Sequence, residues 1–338
     1  MKTSEFFFSL PQGLIAQEPS PQRESARLLV LDRESGSLME SAVRDLATWI
    51  EPRTLVVLND TRVRKARLFG ETARGDRVEL LLIAEREPGL WEVMTGKARK
   101  LLRGGSLLLP GGVKATLEGI EADVRLLRFE PRIDEGWIEA HGHVPLPPYI
   151  RRQDTRADEA RYQTVYSRVL GSAAAPTAGL HLSSPLLAEI EARGAVVAFL
   201  TLHVGLGTFL PIRAECIEDH AMHEELYSIP SRTCRLVEQS LVEHHPIMAV
   251  GTTVVRALES AWENGRLREG EGRTRLFIAP GYRFRVVSRL LTNFHTPGSS
   301  LLVLVSAFAG RERILSAYEE AVRKEYRFFS YGDAMLIR

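Results

Sequence analysis

A histidine flanked by glycines is the first feature of this sequence that points to chemistry. His203 lies at the end of the apolar run AVVAFLTLHV and is followed by GLGTF. Ligands of open α/β sheets bind beyond the carboxyl ends of strands, and Gly205 and Gly207 would let a backbone approach a ligand closely. The third glycine of a dinucleotide fingerprint is missing, and Pro211 stands where its helix would begin, so no nicotinamide site is predicted. A glycine-rich turn with a structural histidine is the alternative.

Two further segments combine small, hydroxyl and imidazole side chains. APTAGLH contains Thr177, Gly179 and His181 just before a predicted helix, where free backbone N–H groups favour an anion. Thr252 and Asn293 stand near the ends of predicted elements, where polar residues are often only caps.

The segment HAMHE places His220 and His223 three residues apart, a spacing at which they would share one face of a helix. With Glu224 they form a possible zinc site, but the order H-x-x-H-E matches neither H-E-x-x-H nor H-x-x-E-H. General acid–base chemistry or substrate contact and a structural role are the alternatives. The sequence contains no G-x-S-x-G or G-x-x-x-x-G-K-[ST] motif, which argues against a hydrolase elbow and a P-loop.

The composition indicates an ordinary globular protein that can position such residues. The 338 residues are 44% hydrophobic and 26% charged, with a net charge of +1, which excludes a disordered or collagen-like chain. Two cysteines exclude a disulfide scaffold and a four-thiolate zinc site. The N-terminus resembles no secretory or transit signal, and the longest nearly apolar stretch, 301–309, is too short to span a bilayer. We therefore expect a cytoplasmic protein.

The pattern of apolar runs predicts two kinds of structure. Six short β-rich runs separated by glycine turns lie between about residues 60 and 150 and indicate a small barrel. The proline-rich segment PLPPYIRR follows the barrel and is predicted to form neither helix nor strand. After it, strands alternate with helices, as in a layered α/β structure. TLVVLND, before the barrel, resembles a strand of the same sheet.

The predicted fold class is therefore a layered α/β domain with a mixed sheet and an inserted small β-barrel domain. We predict a discontinuous α/β catalytic domain, 1–60 and 151–338, and an inserted barrel domain, 61–150. Residues 62–103 carry eleven Lys and Arg against six Asp and Glu, a local excess of +5. This charge indicates either a solvated barrel face or a surface that follows phosphates.

Distinctive motifs run along almost the whole chain: LPQGLIAQEP, LLVLDR, VLNDTRVRKARL, VPLPPYI, RYQTVY, AAPTAGLH, TLHVGLGTF, HAMHEE, AVGTTVVRALES, LLTNFHTP and YRFFSYGDAMLI. Together they resemble the S-adenosylmethionine:tRNA ribosyltransferase-isomerase family of queuosine biosynthesis. The chain departs from the family at FHTPGSSL, where the family usually has FHLPKSTL, and at Leu182, where it usually has Phe. Gly298 stands where the family usually has a lysine, so this chain lacks one cation at that position.

The resemblance implies an enzyme that uses S-adenosylmethionine as a ribosyl donor. The amine of 7-aminomethyl-7-deazaguanine at the wobble position of tRNA receives the ribosyl unit, which rearranges to an epoxycyclopentane and gives epoxyqueuosine, while adenine and methionine leave. The implied fold is an α/β domain with an inserted barrel. No metal and no prosthetic group are expected, and the implied partners are S-adenosylmethionine and a tRNA anticodon loop, with no membrane. We expect a monomer.

The reaction needs a base for the ribose proton beside the sulfonium and an acid for the departing adenine. His203 is the first candidate base and His181 the second; His223 or His220 would be the acid, with Glu224 orienting the imidazole. Phe294 or Phe209 would cover the sulfonium by cation–π attraction. The predicted co-substrate and tRNA contacts are Thr177, Gly179, Gly205, Gly207, Phe209, Thr252, Asn293 and His295 for S-adenosylmethionine, and Arg62, Arg64, Lys97, Arg99 and Lys100 for the tRNA backbone.

Two other classes of function are compatible with parts of the sequence. A metal-dependent hydrolase built on His220, His223 and Glu224 predicts stoichiometric metal and inhibition by a chelator. A non-catalytic RNA-binding barrel predicts salt-sensitive RNA binding that does not depend on S-adenosylmethionine.

Overall fold

The computed structural model describes residues 1–95, 104–121, 124–205 and 211–338. Its α/β part is built on a nine-stranded mixed sheet and its second part is a closed six-stranded barrel, which confirms the predicted fold class. The strands of the first part of the chain are β1 (Arg27–Leu31), β2 (Leu38–Ala42), β3 (Leu55–Asn59) and β4 (Thr61–Val63). The barrel strands are β5 (Arg67–Thr72), β6 (Arg77–Glu87), β7 (Leu90–Thr95), β8 (Ser106–Leu108), β9 (Lys114–Glu121) and β10 (Val124–Glu130).

The rest of the described chain alternates strands and helices. Its strands are β11 (Val169–Ser172), β12 (Val196–Leu202), β13 (Glu225–Ile229), β14 (Ile247–Val250), β15 (Trp262–Glu263), β16 (Arg266–Leu267), β17 (Gly270–Thr274), β18 (Arg289–Asn293) and β19 (Ala334–Ile337). The α-helices are α1 (Glu135–His141), α2 (Arg156–Arg161), α3 (Ser184–Ala192), α4 (Ser231–Val242), α5 (Thr252–Ala261), α6 (Ser300–Ala309) and α7 (Arg311–Arg323). Short 3₁₀ helices are Thr3–Phe6, Gln12–Leu14, Arg23–Ser25, Val43–Trp49, Pro110–Gly112, Thr177–His181 and Ile217–Asp219.

The large sheet has the strand order β17-β13-β12-β3-β14-β18-β19-β1-β2. The four neighbours β12, β3, β14 and β18 are mutually parallel, and every residue of β3 and of β14 is buried. Alternate residues of β3 belong to different cores: Leu55 and Val57 pack in one cluster, Val56 and Leu58 in the other. Because side chains alternate across a strand, this run of apolar residues is covered on both faces.

The barrel closes in the order β10-β7-β6-β5-β8-β9. Each of the six β-rich runs predicted from the sequence overlaps one of its strands. The barrel has its own core, which includes Leu68, Leu80, Trp91, Leu107 and Phe129. Its strands lie between β3 and β12 of the large sheet along the chain, so the barrel is inserted into the α/β fold.

The predicted domain boundaries, 1–60 with 151–338 and 61–150, are kept here as a proposal. Ile138 of α1 packs in the barrel core, whereas Leu146 and Ile150 pack with Tyr162 and Tyr331. The end of the segment 61–150 therefore contacts the α/β part directly.

Two local predictions, for helix α3 and for PLPPYIRR, are confirmed. Helix α3 begins after Ser183, whose hydroxyl accepts a hydrogen bond from the Leu186 N–H, and ends before Gly194, which has φ +91°. PLPPYIRR contains neither helix nor strand. In the described part of the chain, no helix is long and apolar enough to cross a membrane.

Candidate functional site

The parallel strands β12, β3, β14 and β18 end at one edge of the sheet, and the polar residues that follow them meet there. His203 follows β12, Thr252 begins the helix after β14, and Asn293 ends β18. The sequence predicted each of these positions separately, and the strand order places them along the same edge. Asp60 and Thr61, which follow β3 directly, were not predicted as site residues.

Asn59, the last residue of β3, ties this edge together. Its side-chain oxygen accepts hydrogen bonds from the backbone N–H groups of Leu202 (3.0 Å) and Thr61 (3.1 Å). Its side-chain nitrogen donates to the Leu202 carbonyl (2.9 Å) and lies 3.3 Å from the Thr253 hydroxyl. One buried amide therefore fixes the end of β12, the turn after β3 and the start of α5 relative to one another.

The imidazole of His203 is held on two sides. Its Nδ1 lies 2.8 Å from the Thr61 hydroxyl, and a Cβ at Gly171 would lie 2.7 Å from its Cε1. Burial, followed by the positive charge of Arg64, lowers the pKa of His203, while Asp60 opposes this shift. A neutral ring whose Nδ1–H donates to the Thr61 oxygen suits a general base that acts through Nε2.

Asp60 and Thr61 are functional candidates that sequence reasoning missed. Asp60 is buried, accepts a hydrogen bond from the Thr201 hydroxyl (2.6 Å) and pairs with Arg168 (2.8 Å). The signal was available, because polar residues follow the apolar run LVVL just as His203 follows its own apolar strand. Nothing local showed that the two strands are neighbours.

His181 reaches the same edge through a 3₁₀ helix and bonds to Asn293. The Asn293 side-chain nitrogen lies 3.1 Å from His181 Nε2 and donates to the Phe329 carbonyl (3.1 Å). Burial, followed by the charges of Arg327 and Arg23, lowers the pKa of His181 to about 4. Since an amide nitrogen only donates, Nε2 is the acceptor and the neutral ring carries its proton on Nδ1. This arrangement suits a hydrogen-bond donor better than a base.

The remaining predicted residues of APTAGLH lie beside the start of α5. A Cβ at Gly251 would approach Ala178 to 3.7 Å, so the 3₁₀ helix that begins at Thr177 adjoins Thr252. A Cβ at Gly179 would lie 2.1 Å from the Tyr166 hydroxyl. This packing explains the glycine, and contact of Gly179 with a co-substrate stays a prediction.

The HAMHE segment is not helical, so His220 and His223 do not share one face of a helix. Residues 221–224 have no regular secondary structure and lead into β13, which pairs antiparallel with β12, so the segment approaches the sheet edge of His203. His220 packs edge-on against the ring of Phe277. Burial, followed by the charge of His223, lowers the pKa of His220. His223 is exposed. The backbone of the segment continues instead into β13, which pairs with β12 and β17.

Glu224 does not orient either imidazole in this structure. Its carboxylate pairs with Arg273 (2.5 Å) and Arg275 (3.4 Å), and the hydrogen bond from Arg273 is the main reason that its pKa is lowered. The acid role of His220 or His223 stays a prediction. Among the residues that the structure describes, no group of three or more His, Cys, Asp and Glu is placed to hold a metal ion.

The proposal that Phe294 covers the sulfonium is wrong. Phe294 is fully buried and packs against the rings of Tyr318, Tyr326 and Phe328. It follows Asn293 at the end of β18, so its side chain points to the opposite face of the sheet.

His295, predicted to contact the co-substrate, is also buried. Its Nε2 lies 2.9 Å from the Thr292 hydroxyl, and burial lowers its pKa to about 3. This geometry favours a structural role. Gly205 has open space where a Cβ would stand, whereas Gly207 and Phe209 lie outside the described residues.

The predicted tRNA-contacting residues differ in their surroundings. Arg62 is exposed, whereas Arg64 is mostly buried, pairs with Glu135 (2.7 Å) and lies over the ring of Trp91. Lys97, Arg99 and Lys100 lie outside the described residues. Other barrel arginines are neutralised by ion pairs, as Arg128 is by Glu87 and Glu118. The part of the barrel surface that carries these ion pairs therefore resembles an ordinary solvated face rather than a phosphate-binding surface.

Gly298 explains the departure at FHTPGSSL. It has φ +65°, and a Cβ there would lie 2.7 Å from the ring of Phe7. Its N–H donates to the Phe6 carbonyl (2.9 Å). Glycine at this position, instead of lysine, therefore allows a tight turn that packs against the N-terminal segment.

Comparison with known proteins identifies the family of the chain. A family model described as "Queuosine biosynthesis protein" matches residues 3–337. The chain is 47% identical over 346 residues to the S-adenosylmethionine:tRNA ribosyltransferase-isomerase of Treponema denticola, and 46% identical over 340 residues to that of Trichlorobacter lovleyi, with all of each chain covered. The crystal structure of the S-adenosylmethionine tRNA ribosyltransferase from Thermotoga maritima matches 99% of this chain and 100% of its own, at 35% identity and a TM-score of 0.57. The chain therefore belongs to the queuosine biosynthesis family of S-adenosylmethionine:tRNA ribosyltransferase-isomerases.

Proposed function

We propose that the protein transfers the ribosyl unit of S-adenosylmethionine to 7-aminomethyl-7-deazaguanine in tRNA and isomerises it to the epoxycyclopentane of epoxyqueuosine. His203 is the base that removes the ribose proton beside the sulfonium. The observation that carries this assignment is the Nδ1 contact with Thr61 at 2.8 Å. In the tautomer whose Nδ1–H donates to the Thr61 oxygen, Nε2 keeps its lone pair for the substrate proton. The lowered pKa of His203 keeps the ring neutral at physiological pH.

His181 is then a substrate-orienting donor rather than the base. Asn293 occupies its Nε2, and its remaining ring hydrogen is on Nδ1. Since the ends of β12 and β18 are three strand spacings apart, roughly 14 Å, His203 and His181 contact different parts of an extended substrate.

The other proposed contacts follow from position along the edge. Thr177, Thr252 and Asn293 contact the ribose or methionine portions, and Gly205 gives a ligand access to the backbone. The tRNA presents its wobble base in a single-stranded loop, which needs little energy to splay the base out. Arg62 contacts the backbone of this loop. As a tRNA-modifying enzyme, the protein is proposed to work in the cytoplasm as a monomer, without a prosthetic group.

The test is mass spectrometry after incubation with S-adenosylmethionine and tRNA that carries 7-aminomethyl-7-deazaguanine. Free adenine, together with a mass gain on the modified nucleoside, is expected, and the same tRNA with unmodified guanine should give neither. Absence of both from folded protein that binds tRNA would refute the function and favour an RNA-binding module.

The role of His203 is tested by a matched pair of variants. His203→Asn should abolish single-turnover adenine release. His244→Asn changes an exposed histidine that precedes β14, at the opposite edge of the sheet, and should leave the rate unchanged. A near wild-type rate in His203→Asn would refute the assignment.

A further inference from the structure

A cavity beside His181 is lined in part by polar side chains that the proposed reaction has not yet used. Its lining includes Ser20, Arg23, Arg161, His181 and Tyr331. It lies at the functional edge of the sheet, because His181 contacts Asn293 and Tyr331 closely precedes β19, which pairs with β18.

The two arginines are held rigidly by backbone carbonyls. Arg23 donates to Leu180 (3.0 Å) and Ala160 (2.8 Å). Arg161 donates to the carbonyls of Pro21 (3.0 Å) and Ser20 (2.7 Å). Each terminal guanidinium nitrogen carries two hydrogens, so both side chains retain N–H donors after these bonds. The Nε of Arg161 is buried and has no partner among the described residues.

The charges of these arginines are not neutralised nearby. Within the described chain, neither forms an ion pair, and burial followed by the charge of Arg161 lowers the pKa of Arg23.

The nearby carboxylates are already engaged. Asp158 pairs with Arg152 (2.7 Å) and accepts the Tyr331 hydroxyl (2.7 Å). Asp333 accepts the backbone N–H groups of Arg27 (2.9 Å) and Arg327 (2.7 Å).

His181 adds a neutral donor to the same wall. Its Nε2 accepts from Asn293, so the Nδ1–H is the hydrogen left for a ligand. Two uncompensated guanidinium groups and one N–H donor around a cavity form a site complementary to a carboxylate or phosphate oxygen.

We propose that this cavity binds an anionic group, a carboxylate or a phosphodiester, through Arg23, Arg161 and the Nδ1–H of His181. The inference rests on the proposed function, because S-adenosylmethionine supplies a carboxylate and tRNA supplies phosphodiesters. An anion bound here anchors one end of the substrate about three strand spacings from His203.

The experiment measures equilibrium binding to the full chain and its variants Arg23→Lys and Arg161→Lys, which keep the charge but lose the guanidinium fork. Arg156→Lys is the matched control, because Arg156 is exposed at the other end of the same helix as Arg161. The probes are S-adenosylmethionine, its decarboxylated analogue and tRNA.

If the anion is the carboxylate, wild type binds S-adenosylmethionine about 10-fold or more tightly than the analogue, and the cavity variants lose this preference. If the anion is a phosphodiester, the variants bind both small molecules as wild type does. They then bind tRNA more weakly than wild type at the same salt concentration, because lysine keeps the charge but loses the guanidinium fork. Folded cavity variants that bind all three probes like wild type would overturn the proposal.

A comparison of ligands decides the matter if the cavity variants do not fold. The proposal is overturned if two results are obtained together with wild type. S-adenosylmethionine and its analogue bind equally, and anticodon stem-loops that carry single methylphosphonate linkages bind as the unmodified stem-loop does. Adenine release is measured in parallel. Release without anion selectivity refutes the cavity alone, and anion selectivity without release refutes the function alone.

Discussion

Replacing Gly171 by alanine should disable His203 without removing any group that contacts the substrate. Gly171 lies in β11 at the irregular step of its pairing with β4, at φ +152°. An alanine Cβ there would lie 2.7 Å from His203 Cε1 and 3.0 Å from both ring nitrogens, whereas ordinary contacts begin at 3.4 Å. The ring must therefore retreat by roughly 0.7 Å, the difference between 3.4 and 2.7 Å.

That displacement is large for a positioned base. If the ring moves away from Thr61 by this amount, the 2.8 Å hydrogen bond lengthens to about 3.5 Å, at which little of it is left. Misplacement of a reacting group by about 1 Å lowers a rate by about 10²-fold, or ~2.7 kcal/mol of activation free energy. The unfavourable backbone conformation should also destabilise the fold, by about 1 kcal/mol.

The assay is single-turnover adenine release with saturating S-adenosylmethionine and tRNA, together with the thermal unfolding midpoint of each protein. Gly13→Ala is the control, because a Cβ at Gly13 meets nothing within 4 Å and its φ is not in the left-handed region. Gly13→Ala should react like wild type. A folded Gly171→Ala variant that releases adenine within about threefold of the wild-type rate would refute the proposed role of the ring.

Three further predictions follow from the same structure. Thr61→Val should lower single-turnover adenine release about 10-fold and leave the affinity for S-adenosylmethionine unchanged, because only the orientation of His203 is lost. Stability should fall as the pH is lowered from 6.5 toward 4, since His181 takes up its proton more readily when unfolded; at pH 5 denaturant unfolding of wild type should show a loss larger than that of His181→Asn by roughly 2 kcal/mol. Gly298→Lys should lower the unfolding midpoint, because φ is +65° and the ring of Phe7 fills the space.

Each of these predictions has an outcome that contradicts it. Weakened binding of S-adenosylmethionine to Thr61→Val would mean that Thr61 contacts the co-substrate directly. A His181→Asn variant with the same loss of stability on acidification as wild type would assign that loss to other groups. An unchanged unfolding midpoint in Gly298→Lys would show that the turn and Phe7 rearrange without penalty.

The strands and helices that could be predicted from the sequence are those specified by patterns a few residues long. Six alternating or apolar runs between glycine turns were enough to locate six barrel strands, because alternation and turn chemistry act over a few residues. The cap at Ser183 and the glycine stop at Gly194 marked helix α3 for the same reason. The motifs also identified the family, because residues dispersed along the chain are jointly needed for one reaction.

Local patterns failed where a neighbouring element decides the conformation. HAMHE has helical spacing of its histidines, but its backbone runs into β13, which pairs with β12 and β17. Phe294 and His295 resembled site residues because they adjoin Asn293, yet their side chains are buried in the interior. Packing against residues distant in sequence determines both outcomes.

The site itself was decided by tertiary structure. The sequence singled out His203, His181, Thr252 and Asn293 one at a time, as polar residues at the ends of elements. Only the parallel order of β12, β3, β14 and β18 places their carboxyl ends at one edge. The pairing of β3 with β12 brings Thr61 to His203 across 142 positions of sequence. Hydrogen bonding between strands creates such contacts, and no spacing within a single segment encodes them.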